Sequence, residues 1–229
     1  MDPRHVLSAV LDDPPRIHGP DAPNGVWRTA TECYEFLIDE VPKGSRTLET
    51  GMGVSTVLFA ALETEHTSVS MGDATEELLS WCDEHDVPTS RLRLVNESSV
   101  TALPRIATEP DPLDVVFIDG CHGYPVVQLD WLYGCARLRD GGTVVVDDTQ
   151  LPAPHELRKF LKADPRWETV HSGYKWSAFR RLGTWDLSED YYAQSFWRTA
   201  HEPWRATLRR RVPARLERPL TRLIAPRRR

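Results

Sequence analysis

Three short stretches of this sequence carry residues that could do chemistry. Asp119-Gly120-Cys121-His122 follows one apolar run, Asp147-Asp148 follows another, and Glu49-Thr50-Gly51-Met52-Gly53 ends a third. Carboxylates and an imidazole gathered in one place can hold a cation or move a proton. Three carboxylates together repel one another unless a cation or a proton relieves them. Asp119, Asp147 and Asp148 are therefore candidate metal ligands, with Asp119 and His122 as candidate catalytic groups. The plainer alternatives are an aspartate that caps a turn and a turn histidine bonded to a nearby carboxylate. His155, seven residues after Asp148, reads as a surface residue.

The glycine pair has a different use. Gly51 and Gly53 lack a Cβ, so the backbone can turn sharply and a ligand can lie against it. The helix that follows offers free N–H groups to a polar ligand. A dinucleotide fingerprint, G-x-G-x-x-G, would need glycine at position 56, where this chain has Thr56. A carboxylate at Glu49 would repel a pyrophosphate and attract an ammonium or a sulfonium. Both details turn the reading away from a nicotinamide dinucleotide.

These residues need strand ends to present them, and the pattern supplies strands. Apolar runs at Arg46–Leu48, Thr67–Met71, Leu92–Val95, Asp114–Ile118 and Thr143–Val146 alternate with helical spacing at Val54–Leu62, Glu76–His85, Tyr124–Leu138 and His155–Lys162. Strands alternating with helices imply a parallel sheet built by right-handed crossovers. Glu168–Ser172 and Lys175–Arg181 have no helix between them and read as a hairpin closing one edge. The expected fold class is α/β, five parallel strands plus a C-terminal antiparallel hairpin, with helices on both faces. In such sheets ligands bind beyond the carboxyl ends of the strands, which is where all three stretches fall.

In this setting the Glu49-x-Gly51-x-Gly53 string resembles the first motif of the class I S-adenosylmethionine-dependent methyltransferases. The resemblance covers roughly residues 27–182 and implies a Rossmann-like methyltransferase fold with S-adenosylmethionine as cofactor. It gives Glu49, Gly51, Gly53 and Ser55 a role at the methionine part of that cofactor, and adds Asp119 to the cofactor wall. The acid expected to hold the ribose is displaced: Met71 occupies the usual place and Asp73 follows two residues later, as ribose ligand or as helix cap. Glu97 and Ser98 fall where the family brackets adenine, with helix capping as the alternative. Asp119 and the pair Asp147-Asp148 match positions that hold magnesium in the catechol-type, cation-dependent O-methyltransferases. His122 falls where that group carries a lysine base. The string Phe117-Ile118-Asp119-Gly120-Cys121-His122-Gly123-Tyr124 also resembles a bacterial methyltransferase family of mixed substrates.

The implied function is methyl transfer to a hydroxyl of a small molecule, with magnesium as a conditional partner. Two other functions stay open: N- or C-methylation on the same fold, and a non-catalytic, nucleic-acid-associated protein that uses the basic tail. The 229 residues carry a net charge of −6, but eleven arginines face only Glu202 and Glu217 between Arg198 and Arg229. That gives the tail +9 and the rest of the chain −15. Four prolines and few aromatics within the tail make nucleic acid a poor partner for it. Residues 1–26, with five prolines, read as an irregular arm, residues 27–183 as the catalytic domain, and residues 184–229 as an aromatic and Arg-rich extension that could mediate homo-oligomerisation. The cysteines show no C-x-x-C spacing, no apolar run approaches the roughly 20 residues of a membrane span, and the start lacks an apolar leader. A cytoplasmic protein is expected.

Overall fold

The computed structural model describes residues 2–183. The expectations about the aromatic and Arg-rich stretch from 184 onward lie outside the described residues.

The first strand, β1 (Arg46–Thr50), pairs in parallel with β2 (Glu65–Ser70) on one side and β4 (Leu113–Ile118) on the other. β2 pairs with β3 (Leu92–Asn96), and β4 with β5 (Leu138–Val146), also in parallel. The hairpin β6 (Trp167–Ser172) and β7 (Ser177–Arg181) joins antiparallel to β5, giving the order β3-β2-β1-β4-β5-β7-β6. This is the expected Rossmann-like sheet. The order of winding across the sheet reverses between β1 and β4, so the connections leaving their carboxyl ends diverge and leave a cleft.

Central strands are apolar because helices cover both faces. Leu48, Val116, Phe117, Val144 and Val145 are each no more than 1% exposed. On one face α3 (Val54–Ala61) is buried along its whole length, packed with α1 (Pro3–Asp12) and α4 (Thr75–Glu84) around Val57, Leu58 and Trp81. A second cluster joins Leu37 of α2 (Thr31–Glu40) to Phe59, Phe117, Val145 and Trp176. The remaining helices are α5 (Ser99–Ile106), α6 (Val126–Gly134) and α7 (Pro152–Ala163).

Three expectations change. Residues 3–12 are not irregular: Pro3 takes the first helical turn, where its missing N–H costs nothing, and the Asp2 side chain accepts from the Arg4 N–H as a cap. Val6, Leu7 and Val10 bury the inner stripe of this helix, at about 1.5–3 kcal/mol per side chain. The helix α5 was not apparent from spacing because Pro104 lies inside it. The stretch 124–138, expected as one helix, ends at Gly134 and passes through a single 3-10 turn into β5.

Candidate active site

The turn after β1 is set by close approach. Gly51 has φ +106°, and a Cβ there would come within 2.5 Å of the Asp119 carbonyl oxygen. Its N–H donates to the Val69 carbonyl, and Ser68 Oγ donates to its carbonyl at 2.7 Å. Two strand ends are thus drawn against a position that tolerates no side chain. Gly53 then starts α3, its N–H donating to Thr56 Oγ1 at 2.9 Å, and the Thr56 hydroxyl donates to Glu49. Thr56 therefore ties the turn to the strand at the position where a dinucleotide fold would have glycine.

Glu49 does not face the cleft. It is 1% exposed, bonded to Thr56 and 3.1 Å from His66 Nε2. His66 in turn contacts Thr47 Oγ1 at 2.7 Å and stacks on Phe59. The expected direct contact with a cationic ligand is replaced by a buried network that fixes the turn from behind.

The acidic cluster forms as expected at the ends of β4 and β5, and it is relieved in both of the ways that chemistry allows. The first is a proton. Burial pushes the Asp119 carboxyl well above the usual carboxylate range, helped by the Asp147 charge, a hydrogen bond with Asp147, and the charges of Glu49 and Asp148. Asp147, 2% exposed, is raised by burial as well, against the opposing pull of the Thr29 hydroxyl and of Lys175. The second is a cation. Lys175 Nζ lies 2.8 Å from Asp148 Oδ1 and 3.8 Å from Asp147 Oδ2. Burial opposes ionisation of Asp148, but hydrogen bonds from Lys175 and Gln150, with His122 nearby, hold its carboxyl below the ordinary value. His122 Nε2 is 3.1 Å from the other oxygen, Asp148 Oδ2, and 4.0 Å from Asp119 Oδ1. Asp148 itself has φ +51°, a left-handed conformation that aspartate tolerates better than most residues.

These two halves face one cavity of about 570 Å³, within the roughly 300–1,000 Å³ of small-molecule and cofactor sites. Of the expected residues, Gly51, Gly53, Ser55, Ser98, Asp119, His122, Asp147 and Asp148 line it. Glu49, Asp73 and Glu97 do not. Asp73 is exposed on its loop. Glu97 points to Arg105, with contacts of 2.5 and 3.1 Å that draw its carboxyl down to about 2. His155 instead contacts Arg158 at 2.8 Å. The wall also includes residues that spacing did not single out: His18, Trp27 and Arg28 from the segment before α2, Ser70 and Met71 at the end of β2, Cys121, and Lys175 from the hairpin. No local signal marked Lys175, which reads in sequence as the first residue of a strand.

A cavity of this size, with the glycine turn and the start of α3 on one side and carboxylates on the other, fits a nucleoside bearing a sulfonium. The donor set fits a divalent ion poorly. Asp147 and Asp148 already give oxygens to Thr29, Lys175, Gln150 and His122. Among the described residues no group of three or more His, Cys, Asp or Glu side chains is arranged to hold a metal.

The sheet order is that of a Rossmann-like methyltransferase fold. Residues 48–149 match the family model of a methyltransferase domain. Among solved structures it is similar to the O-methyltransferase TomG from Streptomyces achromogenes in complex with SAM, at 16% identity and TM-score 0.58 over 80% of this chain and 90% of that one. Cofactor-bound Rv0187 from MTB is similar at 18% identity and TM-score 0.58, covering 79% and 91%. MycE methyltransferase from the mycinamycin biosynthetic pathway, in complex with Mg and SAH, is similar at 17% identity and TM-score 0.55, covering 83% of this chain and 57% of that one. At these identities the likeness is one of fold. No curated protein sequence matches the chain. Among the described residues no helix is long and apolar enough to cross a membrane.

Proposed function

We propose that this enzyme transfers a methyl group to a hydroxyl of a small molecule, with His122 as the base that takes the hydroxyl proton. The observation that carries this reading is the 3.1 Å contact of His122 Nε2 with Asp148 Oδ2, on the cavity wall that faces the glycine turn. S-adenosylmethionine, when bound, supplies an electrophilic methyl on a positively charged sulfur. Gly51 lets the backbone approach the ligand, while Ser55 and Ser98 offer polar groups along the wall. An ionised Asp148 accepts a hydrogen bond from His122 Nε2–H and leaves the lone pair on Nδ1, so the imidazole is oriented as a proton acceptor. The same carboxylate stabilises the imidazolium that forms.

A base of this kind favours oxygen over nitrogen as acceptor, because a neutral amine need lose no proton before it attacks. A free phenol, near 10, already sits a few units above neutral pH, and that gap is the cost of its deprotonation. A sugar hydroxyl would widen that gap, so a phenolic or otherwise acidified hydroxyl suits the site best. Positioning adds to this, since the reacting atoms must be held about 3–3.5 Å apart. The similarity to TomG, an O-methyltransferase, supports the same direction.

Calorimetry with S-adenosylhomocysteine, paired with mass spectrometry of catechol, phenol and sugar acceptors incubated with S-adenosylmethionine, tests the proposal. Micromolar product binding and a 14-dalton gain on a phenolic oxygen are expected. Methylation confined to amines would overturn the oxygen assignment, and absence of cofactor binding would overturn the whole reading.

A further inference from the structure

We infer that Lys175 supplies, from within the chain, the positive charge that a divalent ion would bring to Asp119, Asp147 and Asp148, so that methyl transfer here runs without a metal at that place. The inference rests on the methyltransferase reading and deepens it. The ammonium is 2.8 Å from Asp148 Oδ1 and 3.8 Å from Asp147 Oδ2, beside both carboxylates that follow β5. The opposite oxygens are engaged too, Asp147 Oδ1 by the Thr29 hydroxyl and Asp148 Oδ2 by His122. A magnesium ion asks for oxygen ligands at about 2.0–2.1 Å in octahedral geometry, and it would have to displace a like charge to obtain them.

Lys175 is also held in place by its backbone. Its carbonyl accepts the Thr149 N–H at 2.7 Å, and Gly173 N–H closes the turn on the Trp176 carbonyl at 2.9 Å. Trp176 is 4% exposed, stacked on His171 and packed against Phe36. The hairpin thus delivers one ammonium to the wall of the cavity, where a lysine has three N–H donors and only one is used on Asp148. A fixed cation beside the acceptor lowers the cost of deprotonating a hydroxyl, which is what a metal would otherwise do.

The test titrates Mn²⁺ into protein saturated with S-adenosylhomocysteine and follows free Mn²⁺ by electron paramagnetic resonance. Wild type is compared with Lys175→Ala, with Lys175→Met (which keeps the side-chain bulk) and with the double variant Lys175→Ala/Asp148→Asn. Circular dichroism and product calorimetry on each sample report folding and cofactor binding separately. Wild type should retain no Mn²⁺ below the millimolar range. The single variants should bind one ion at least about tenfold more tightly, and the double variant should lose it again. Micromolar Mn²⁺ binding by wild type overturns the inference. So does a folded Lys175 variant that binds the product and takes up no Mn²⁺. Failure of wild type to bind the product strikes the methyltransferase reading instead.

Discussion

Glu49 and Asp148 are both carboxylates at the carboxyl ends of parallel strands, β1 and β5, with β4 between them, yet they do opposite things. Glu49 is sealed at 1% exposure, bonded to Thr56 and 3.1 Å from His66 Nε2, and bears on the cavity through the backbone turn it steadies. Asp148 lies in the cavity wall and meets Lys175, Gln150 and His122 directly. One half of the cleft is a rigid backbone surface with its charge hidden behind it. The other half is charge laid open and balanced by a lysine. Position in the fold is the same in both halves; the neighbours decide whether a carboxylate builds or reacts.

That contrast can be broken at its stiffest point first. Gly51→Ala forces a Cβ to 2.5 Å from the Asp119 carbonyl at a left-handed φ. It should cost about 2–4 kcal/mol of stability and remove detectable S-adenosylhomocysteine affinity, read by urea unfolding and calorimetry. Wild-type values for both would show that the backbone half is softer than described. His122→Ala should lower single-turnover methylation by about 100-fold or more and leave product affinity within about twofold, since it alters only the reactive half. Equal losses in rate and affinity would dissolve the division between the halves.

A smaller effect concerns pH. Asp119 binds its proton more tightly in the folded state than in the unfolded chain. Stability is therefore lost as pH rises from the ordinary carboxylate value, about 3.9, through the raised one. Asp119→Asn should unfold at a higher temperature than wild type near neutral pH, with the advantage vanishing toward pH ~4, as followed by thermal melts. Asp148 has the reverse sign: its lowered value means that its contribution is lost as pH falls below the carboxylate range. Smallest of all, Glu97→Gln should change product affinity by less than about twofold, because Glu97 serves an exposed pair with Arg105. A tenfold loss would return Glu97 to the cofactor wall.

Strand and helix periodicity made the five parallel strands and the closing hairpin legible, because β4 and β5 hold short apolar runs and most helices between strands carry an apolar stripe. The carboxylates and His122 were legible as a cluster for the same reason, since strand ends in a parallel sheet converge. What escaped was anything fixed by tertiary packing alone. Lys175 reaches the cluster only because β7 pairs antiparallel with β5, and no spacing in the sequence records that pairing. Glu49 looked like a ligand because the pattern locates it at a strand end, whereas its side chain turns to Thr56 and His66. Pro3 was read as a breaker, although at the first turn of a helix it is an initiator. Trp27 and Arg28 joined the wall because the segment before α2 folds over the cleft, a matter of packing rather than of motif.

The cavity wall carries one accessible thiol, Cys121, while Cys33, Cys82 and Cys135 are buried. Burial also keeps those three protonated and unreactive. A maleimide dye would therefore mark the described part of the chain at a single spot, three residues past the β4 strand end. The enzyme comes supplied with an optical reporter whose emission should change as the nucleoside enters, with no engineered residue needed.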